Sequence, residues 1–338
     1  MQYLEVMDLQ DKLGRGVRDL RISVTDRCNF RCRYCMPAEV FGPGYAFLPK
    51  DDLLTFEEMV RLVRILVPLG VGKIRLTGGE PLLRRGVADL VAMIAAVDGV
   101  HDLAMTTNGV LLSHHAEELA LAGMNRVTVS LDSLDPAIFA RMNGTGAKVD
   151  RVIAGILAAK NFGLPVKVNS VIQRGVNEDQ ILPLARWARE ADVDLRFIEY
   201  MDVGETNGWD MSQVVPGAEI LEILGTEFEL QPRAAAYRGE VAVNWKHLGS
   251  RQEIGLIQSV SSPFCRDCQR LRLSADGKIF TCLFAESGHD LRGILRGGLG
   301  DRMVSSVVED IWRARVDRYS ELRGKVAMKK AEMSYLGG

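Results

Sequence analysis

All six cysteines of the chain fall into two triplets, one near each end. The first triplet has the spacing C-x3-C-x2-C, and the second has C-x2-C-x13-C. In a reducing compartment such close spacing favours a metal centre over disulfides, and an odd number in each group argues against internal pairing. Three thiolates can hold three irons of a cubane [4Fe-4S] cluster and leave the fourth iron open to an exchangeable ligand. The predicted metal ligands are Cys28, Cys32, Cys35, Cys265, Cys268 and Cys282.

Zinc is the alternative occupant of each triplet. A structural zinc site usually has four protein ligands, and the loop around the first triplet offers no histidine, because the first in the chain is His101. We therefore interpret the first triplet as a cluster site. At the second triplet His247 or His289 could complete a zinc site, and spacing alone favours neither zinc nor a cluster.

The elements that must position these cysteines repeat a β-α pattern from Asp19 to Met201. Each β-branched run is followed by a helical stretch. The clearest helix runs from Thr55 to Leu69, with Thr55 and Glu58 as a possible capping box and Gly70 as its end. The predicted strands are LRISVT from Leu20, KIRLT from Lys73, DLAMTT from Asp102, RVTVSL from Arg126, VKVNSVI from Val166 and LRFIEY from Leu195.

Six such units predict an α/β fold, namely a partial TIM-type (β/α)6 barrel closed by a smaller C-terminal α+β region. Periodicity alone also allows a flat doubly wound sheet. We divide the chain into an N-terminal lead (1–18), the partial barrel (19–232) and a C-terminal region (233–338) that carries the second triplet. In that last region Asp276-Gly277 predicts a hairpin turn, and the chain ends in Gly337-Gly338.

Cations recur on one face of the predicted strands, because alternate residues of a strand face opposite sides of a sheet. The apolar face would meet the helices, so the polar face would line the barrel interior. Asp132 and Glu199 could neutralise some of this charge. The remainder predicts a polyphosphate ligand, for which arginine forks are well suited. The inward cations are Arg21, Arg75, Lys167 and Arg196.

The composition is that of a globular protein, with 47% hydrophobic and 25% charged residues and a formal net charge of −2. This charge gives no general reason to expect binding to nucleic acid or to a membrane. The first residues lack the apolar stretch of a secretory signal, so we expect a cytoplasmic protein.

The segment DLRISVTDRCNFRCRYCMP resembles the signature of radical S-adenosylmethionine enzymes. In that superfamily the open iron of the first cluster chelates S-adenosylmethionine, whose reductive cleavage gives methionine and a 5'-deoxyadenosyl radical. The resemblance implies that Tyr34 lies beside the adenine of the cofactor. It also implies that Gly78 and Gly79, in the segment LTGGEP, hold the methionyl end.

The segment SSPFCRDCQRLRLSADGKIFTCLF resembles the C-terminal part of the GTP 3',8-cyclase family, which acts in molybdenum cofactor biosynthesis. The resemblance runs from about Leu20 to the chain end and implies a second [4Fe-4S] cluster whose open iron binds the guanine of GTP. Two further contacts to S-adenosylmethionine are implied, Ser130 and Met201. The implied GTP contacts are Arg21, Arg75, Thr106, Lys167, Arg270, Leu271 and Arg272, with Arg196 as a further phosphate ligand. Of these, we assign catalytic roles to Arg21, Arg270 and Arg272.

The activity that follows is the conversion of GTP to (8S)-3',8-cyclo-7,8-dihydroguanosine 5'-triphosphate. It requires an electron donor, delivers its product to the next enzyme of the pathway, and is expected of a homodimer from the family alone. Two other functions remain open on the residues. One is a radical enzyme that modifies a peptide with one auxiliary cluster, and the other is a non-catalytic iron-sulfur protein. The Gly337-Gly338 tail either reaches towards the cofactor or is a frayed terminus.

Overall fold

A computed structural model describes residues 9–325 and 329–337. Residues 1–8 of the predicted N-terminal lead, residues 326–328 and Gly338 of the predicted tail lie outside the described residues. Each of the six predicted strands is present. Their bounds are β1 Asp19–Ser23, β2 Lys73–Thr77, β3 Asp102–Thr107, β4 Arg126–Ser130, β5 Val166–Ile172 and β6 Asp194–Glu199.

The six strands are all parallel and stand side by side in chain order. A doubly wound sheet would reverse its strand order at a switch point, and this sheet does not. Sequential parallel strands with helical connections are the arrangement of a (β/α) barrel. The partial barrel predicted from the sequence is therefore confirmed, and the flat-sheet alternative is wrong.

Helices connect the strands as the periodicity predicts. The first of them is preceded by Thr55, whose side chain and that of Glu58 form the predicted capping box. A single 3-10 turn then continues to Gly70, which has a φ of 113° and ends the element. The sequence reasoning missed α4. The bounds are α1 Phe56–Leu66, α2 Val87–Ala95, α3 Leu112–Leu121, α4 Pro136–Asn143, α5 Val149–Asn161 and α6 Ile181–Glu190.

The C-terminal region adds strands to both edges of this sheet, so that twelve strands form one continuous sheet. On one edge β9 pairs parallel with β6, followed by β8 and β7. On the other edge β10 pairs parallel with β1, followed by β11 and β12. The added elements are α7 Gly217–Gly225, β7 Leu230–Arg233, β8 Val243–His247, β9 Glu253–Ile257, β10 Arg270–Leu273, β11 Lys278–Phe280 and β12 His289–Asp290. The predicted boundary after residue 232 falls inside β7, and the division into domains stays a prediction.

The hairpin predicted at Asp276-Gly277 joins β10 to β11, and Gly277 has the positive φ, 86°, that this turn requires. Four further helices follow, of which α9 buries Val304, Val308 and Trp312 at helical spacing. Their bounds are α8 Arg292–Arg296, α9 Asp301–Ala314, α10 Tyr319–Leu322 and α11 Met333–Leu336. Among the residues that the structure describes, no helix is both long enough and apolar enough to cross a membrane.

The core lies between the sheet and its helices. Leu20, Ile22 and Val24 are completely buried there, as strand alternation predicts. Arg21 and Ser23 of the same strand face the interior of the partial barrel. One strand therefore supplies both the packing that holds the fold and the polar groups that line the interior.

Candidate active site

The first cysteine loop leaves the carboxyl end of β1 and packs against the loop that follows β2. The amides of Gly79 and Glu80 donate to the carbonyls of Thr25 and Arg27, both at 2.8 Å. A Cβ on Gly78 would lie 2.5 Å from the Thr25 carbonyl oxygen, and a Cβ on Gly79 would lie 2.3 Å from that of Arg27. Any side chain at either glycine would push the two loops apart. These glycines thus position the first triplet in addition to any contact with a cofactor.

Glu80 connects this loop to the end of β3. It is 1% exposed and accepts hydrogen bonds from the Thr107 hydroxyl and the Asn108 amide, both at 2.7 Å. Burial raises the pKa of Glu80. The Asn108 side chain donates to Asn29 Oδ1 at 2.7 Å and lies 3.9 Å from Cys28 Sγ. The sequence analysis did not identify Asn108 as a site residue, because a single Asn after a strand gives no signal of a role beside the cysteines.

Tyr34, between the second and third cysteines, is fastened to the end of β4. Its hydroxyl donates to Asp132 Oδ2 at 2.7 Å, and Asp132 Oδ1 accepts from the Val171 amide at 2.8 Å. Burial raises the pKa of Asp132 to about 6, even though both hydrogen bonds favour its ionised form. The Tyr34 ring is therefore held in one place at the carboxyl end of the sheet.

The other residues predicted to bind S-adenosylmethionine lie at the same end. Ser130 is the last residue of β4 and is paired in register with Asn169, whose Oδ1 is buried without a hydrogen-bond partner among the described atoms. Met201 follows β6, and its sulfur lies 3.5 Å from Ser259 Oγ. Together with Tyr34 and the two glycines, these residues surround the carboxyl ends of the parallel strands, where barrel enzymes place their active sites.

The second triplet lies at the opposite end of the strands. Cys265 and Cys268 flank a single 3-10 turn directly before β10, and the Cys268 amide donates to the Cys265 carbonyl at 3.3 Å. Cys282 follows β11, which runs antiparallel to β10 and so returns to the same end. Because β10 is parallel to β1, this is the amino end of the barrel. The two triplets therefore lie beyond opposite ends of the strands, of which β1 alone is about 13 Å long from its first to its last Cα.

Three arginines stand side by side between the triplets. Arg21 of β1 is paired in register with Arg75 of β2 on one side and with Arg272 of β10 on the other. We call these three residues the arginine row. Neighbouring strands lie about 4.8 Å apart, so the three backbones span about 10 Å. Arg75 also donates to the hydroxyls of Thr106 and Thr128, at 3.0 and 3.1 Å.

The arginine row has no carboxylate partner among residues 9–325 and 329–337, since no Asp or Glu oxygen lies within 4.0 Å of any of its nitrogens. The Nε atoms of Arg21 and Arg75 are buried and lack hydrogen-bond partners among the described atoms. Burial lowers the pKa of all three guanidinium groups, and repulsion from Arg21 lowers that of the other two further, to about 9 for Arg75. Because buried like charges without partners are costly, this group indicates a site for an anionic ligand.

The remaining predicted cations differ in how they are compensated. Lys167 forms an ion pair with Asp194 at 3.0 Å. Arg196 and Arg270 have no ion pair in the described part of the chain, and Arg270 lies over the ring of Phe264, 5.0 Å from its centre. Not every predicted cation is therefore equally available to a substrate.

One expectation about this interior is wrong, and the structure restricts how another could hold. Asp132 and Glu199 do not neutralise the inward cations, because Asp132 is occupied by Tyr34 and Glu199 accepts from the backbone amides of Gly217 and Val260, both at 2.8 Å. Leu271 is completely buried in the apolar core on the other face of β10. A contact between GTP and Leu271 could come from its backbone only.

Asp102 is a second carboxylate, besides Asp194, that compensates cations on the polar face of the sheet. It accepts two hydrogen bonds from Arg126, at 3.0 and 2.9 Å, and lies 3.5 Å from Lys73. Lys73 also donates to the Tyr237 hydroxyl at 3.0 Å. Sequence reasoning missed Arg126, although its alternation with Thr128 on β4 would have placed it on the polar face.

The last described residue, Gly337, enters the interior. Gly337 lies beside Ser23 and Thr77, and a Cβ there would come within 2.5 Å of the Thr77 methyl carbon. Its carbonyl accepts a hydrogen bond from Arg272. Tyr335 is anchored through its hydroxyl to Asp276, at 2.7 Å. The described part of the tail is thus not a frayed terminus.

The cysteines suit iron-sulfur clusters. All six are free and half-buried, and burial raises the pKa of Cys28 and of Cys282 to about 11, so a bound cation is needed to favour their thiolates. Burial acts in the same direction on Cys268, but the charges of Arg270 and Arg315 outweigh it and lower its pKa to about 6. In the described residues no three or more His, Cys, Asp or Glu side chains are arranged to hold a single metal ion. A cubane does not require three side chains around one metal ion, since each thiolate binds its own iron.

Comparisons with known proteins identify the family of this chain and its structural relatives. The Radical SAM superfamily model matches residues 22–188, and the Molybdenum Cofactor Synthesis C model matches residues 193–321. The fold resembles that of SuiB from Streptococcus suis, solved with bound S-adenosylmethionine, with a TM-score of 0.62 over 86% of this chain and 68% of that one at 15% identity.

Closer relatives are found by sequence. A protein of Acidothermus cellulolyticus named GTP 3',8-cyclase is 49% identical, over 98% of this chain and 99% of its own. One of the same name from Staphylococcus haemolyticus is 47% identical, over 98% and 100%. Identity at this level over nearly the whole of both chains shows that this chain belongs to the GTP 3',8-cyclase family of radical S-adenosylmethionine enzymes.

Proposed function

We propose that this protein converts GTP to (8S)-3',8-cyclo-7,8-dihydroguanosine 5'-triphosphate with S-adenosylmethionine and two [4Fe-4S] clusters, the first step of molybdenum cofactor biosynthesis. One observation carries the proposal beyond family membership. The arginine row, Arg21, Arg75 and Arg272, has no carboxylate partner among the residues that the structure describes, and it lies in a buried interior between two cysteine triplets. A triphosphate supplies the negative charge that this row lacks.

The inward cations bind and orient GTP. Arg21 and Arg75 contact the substrate with forks that match phosphate and hydroxyl oxygens, and Lys167 and Arg196 add charge from β5 and β6. Thr106 fixes the Arg75 guanidinium through its hydroxyl. Because these groups belong to strands of one sheet, they hold the substrate without rearranging, which lowers the entropic cost of reaching the reactive geometry.

The clusters and cofactor would be held by residues of the two ends of the barrel. Cys28, Cys32 and Cys35 hold the first cluster, and Tyr34, Gly78, Gly79, Ser130 and Met201 hold S-adenosylmethionine. When bound, this pair supplies a 5'-deoxyadenosyl radical that can remove a hydrogen atom from the substrate ribose. Cys265, Cys268 and Cys282 hold the second cluster, which receives the guanine. The separation of the triplets along β1 leaves room for the ribose between them.

Arg270 and Arg272 act beside the second cluster, where they orient the base and stabilise negative charge that develops on it. Both project to the interior from β10, two positions apart, just after Cys268. The peptide-modifying alternative has no observation in its favour. Membership of the cyclase family also weighs against a non-catalytic protein.

Several wider features of the function belong to this proposal. The enzyme takes its electron from a separate donor, passes its product to the next enzyme of the pathway, works as a homodimer and resides in the cytoplasm. The family supports them, and the free thiols of all six cysteines, which suit a reducing compartment, support the cytoplasm.

The test is anaerobic reconstitution with iron and sulfide, followed by incubation with S-adenosylmethionine, dithionite and either GTP, ATP or no nucleotide. We expect about eight irons per chain, and we expect the cyclised product with GTP only. Formation of 5'-deoxyadenosine without any consumption of GTP would refute the cyclase. An iron content near four per chain would remove the second cluster from the proposal. Arg272→Gln should keep the iron content and lose cyclisation, whereas the exposed Arg18→Gln should keep both.

A further inference from the structure

A cluster of buried charges lies behind the second triplet and takes no part in the function proposed above. Its members come from the two ends of the chain, Asp11 and Arg15 from one and Arg315 from the other. The side chains of Asp11 and Arg15 are 0% exposed and that of Arg315 is 1% exposed. Charges are this deeply buried in proteins only when they are paired or serve a site.

Each arginine of this cluster holds the backbone of one cysteine. Arg15 Nη1 donates to the Cys265 carbonyl at 2.8 Å, and Arg315 Nη1 donates to the Cys268 carbonyl at 2.7 Å. Those two carbonyls belong to the 3-10 turn that sets the spacing of the two thiols. Hydrogen bonds from the two arginines therefore fix the second cysteine loop at both ends of its turn.

Asp11 connects the two arginines. Its Oδ2 accepts from Arg15 Nε and lies 3.6 Å from Arg315 Nη1, while its Oδ1 accepts from the Arg15 amide at 2.9 Å. Trp312 closes the back of the cluster, because its indole nitrogen donates to the Arg15 carbonyl at 2.9 Å and its ring lies 4.5 Å from the Arg315 guanidinium carbon. A lysine could not make these contacts, since it lacks the planar fork.

Two carboxylates, Asp11 and Asp317, face the two guanidinium groups of the cluster. Asp11 is fully buried, whereas Asp317, whose Oδ2 lies 3.2 Å from Arg315 Nε, has a side chain 30% exposed and is partly screened by solvent. Arg15 Nη2 is buried with no hydrogen-bond partner in the part of the chain that the structure describes. This spare donor, on a guanidinium group that already holds the Cys265 carbonyl, suits a neighbour that carries thiolates and sulfides.

We propose that Arg15 and Arg315, coupled through Asp11, are positioning residues of the second cluster, which fix the Cys265–Cys268 turn and neutralise charge on the bound iron-sulfur group. This inference rests on the proposed function, because it requires the second triplet to hold a cluster. Neither arginine contacts GTP in this scheme, and both act through the cysteines.

The test compares Arg15→Lys, Arg15→Gln and Arg315→Lys in the full chain, with the exposed Arg18→Gln as matched control. Each variant is reconstituted with both clusters, and a parallel set in which the first three cysteines are alanine isolates the second cluster. The readouts are iron loss to a chelator, the midpoint potential of the second cluster from EPR-monitored titration, and the thermal unfolding temperature.

We expect the Arg15 and Arg315 variants to lose iron from the second cluster about 10- to 100-fold faster than the unchanged protein, as for outer-shell partners of other metal sites. Arg15→Gln should also lower the midpoint potential, since it removes positive charge near the cluster. Formation of 5'-deoxyadenosine without GTP, which reports the first cluster, should be unchanged. Arg18→Gln should match the unchanged protein in every readout.

Unchanged iron loss and potential in folded variants would overturn the inference. Equal loss from both clusters with a lower unfolding temperature would also overturn it, because the residues would then serve the fold alone. Should Arg15→Gln not fold, the two lysine variants decide by the same criteria. An unchanged protein with four irons would instead refute the second cluster itself and so separate the two failures.

Discussion

Replacing Arg75 with methionine should stabilise the empty protein and weaken GTP binding at the same time. Burial and repulsion from Arg21 lower the pKa of Arg75 from 12.5 to about 9, so its charged form is disfavoured in the folded state. At about 1.4 kcal/mol for each tenfold change in acidity, this penalty has an upper limit of roughly 5 kcal/mol. The variant also loses the hydrogen bonds to Thr106 and Thr128, worth about 1 kcal/mol each. The net gain in the free energy of unfolding is about 2 to 3 kcal/mol.

The size of the stability gain depends on pH. Because the pKa of this base is lower in the folded than in the unfolded state, the whole penalty is present at pH 7 and up to about 9, and it fades as the pH rises towards 12.5. The gain from Arg75→Met should therefore be constant between pH 6 and 8. The same substitution removes a charged hydrogen bond to phosphate, worth about 1.5 to 3 kcal/mol, which corresponds to a dissociation constant for GTP about 10- to 150-fold higher.

Denaturant unfolding of the cluster-free protein measures the stability, and anaerobic calorimetry of the reconstituted protein measures GTP binding. Arg126→Met is the matched control, because Arg126 lies on the same face of the sheet but is paired with Asp102 through two hydrogen bonds. Its loss should lower the free energy of unfolding by about 1 to 3 kcal/mol. If Arg75→Met destabilises the protein as Arg126→Met does, or binds GTP normally, the arginine row is not a site kept open for an anion.

Three other changes test separate parts of the site. Gly79→Ala should prevent loading of the first cluster while the second remains, because its Cβ would lie 2.3 Å from a backbone oxygen. The control is Gly225→Ala, where a Cβ would meet nothing within 4 Å, and this variant should load both clusters. Iron content and EPR spectra measure which clusters each variant holds. In the unchanged protein the free energy of unfolding should fall as the pH rises from 3.8 to about 6, because burial raises the pKa of Asp132 and its ionisation opposes folding. Asp132→Asn should remove this fall. A variant whose unfolding free energy follows that of the unchanged protein across this range would contradict the prediction. Lys167→Gln should raise the KM for GTP about tenfold with little change in uncoupled 5'-deoxyadenosine formation, and an unchanged KM would mean that Asp194 keeps this lysine from the substrate.

The local features of this protein were predictable from the sequence. Cysteine spacing identifies both triplets, and alternation along each strand correctly separates Leu20 and Ile22 from Arg21. The capping box at Thr55 and the turn at Gly277 were equally readable, because each depends on neighbours within four residues. These signals work wherever a residue's surroundings are set by its own segment.

Pairings between distant segments were not predictable in the same way. Nothing near Arg272 indicates that it will stand beside Arg21, since the two are joined by a parallel pairing of strands about 250 residues apart. For the same reason the sequence could not show that Asp132 binds Tyr34 and is not a partner for the inward cations. Burial and alternation tell which face a charge is on, but the identity of its partner depends on the order of strands in the sheet.

The buried clamp of Asp11, Arg15 and Arg315 has a consequence for the order in which the enzyme is assembled. All the contacts described around the first cysteine loop come from residues before 172, whereas the second loop needs a residue near the end of the chain. Because synthesis proceeds from the N-terminus, the first cluster site can form while the chain is still emerging, but the second can form only once Arg315 has emerged as well. Iron-sulfur delivery to this enzyme should therefore occur in two stages, and a chain that ends before Arg315 should take up the first cluster alone.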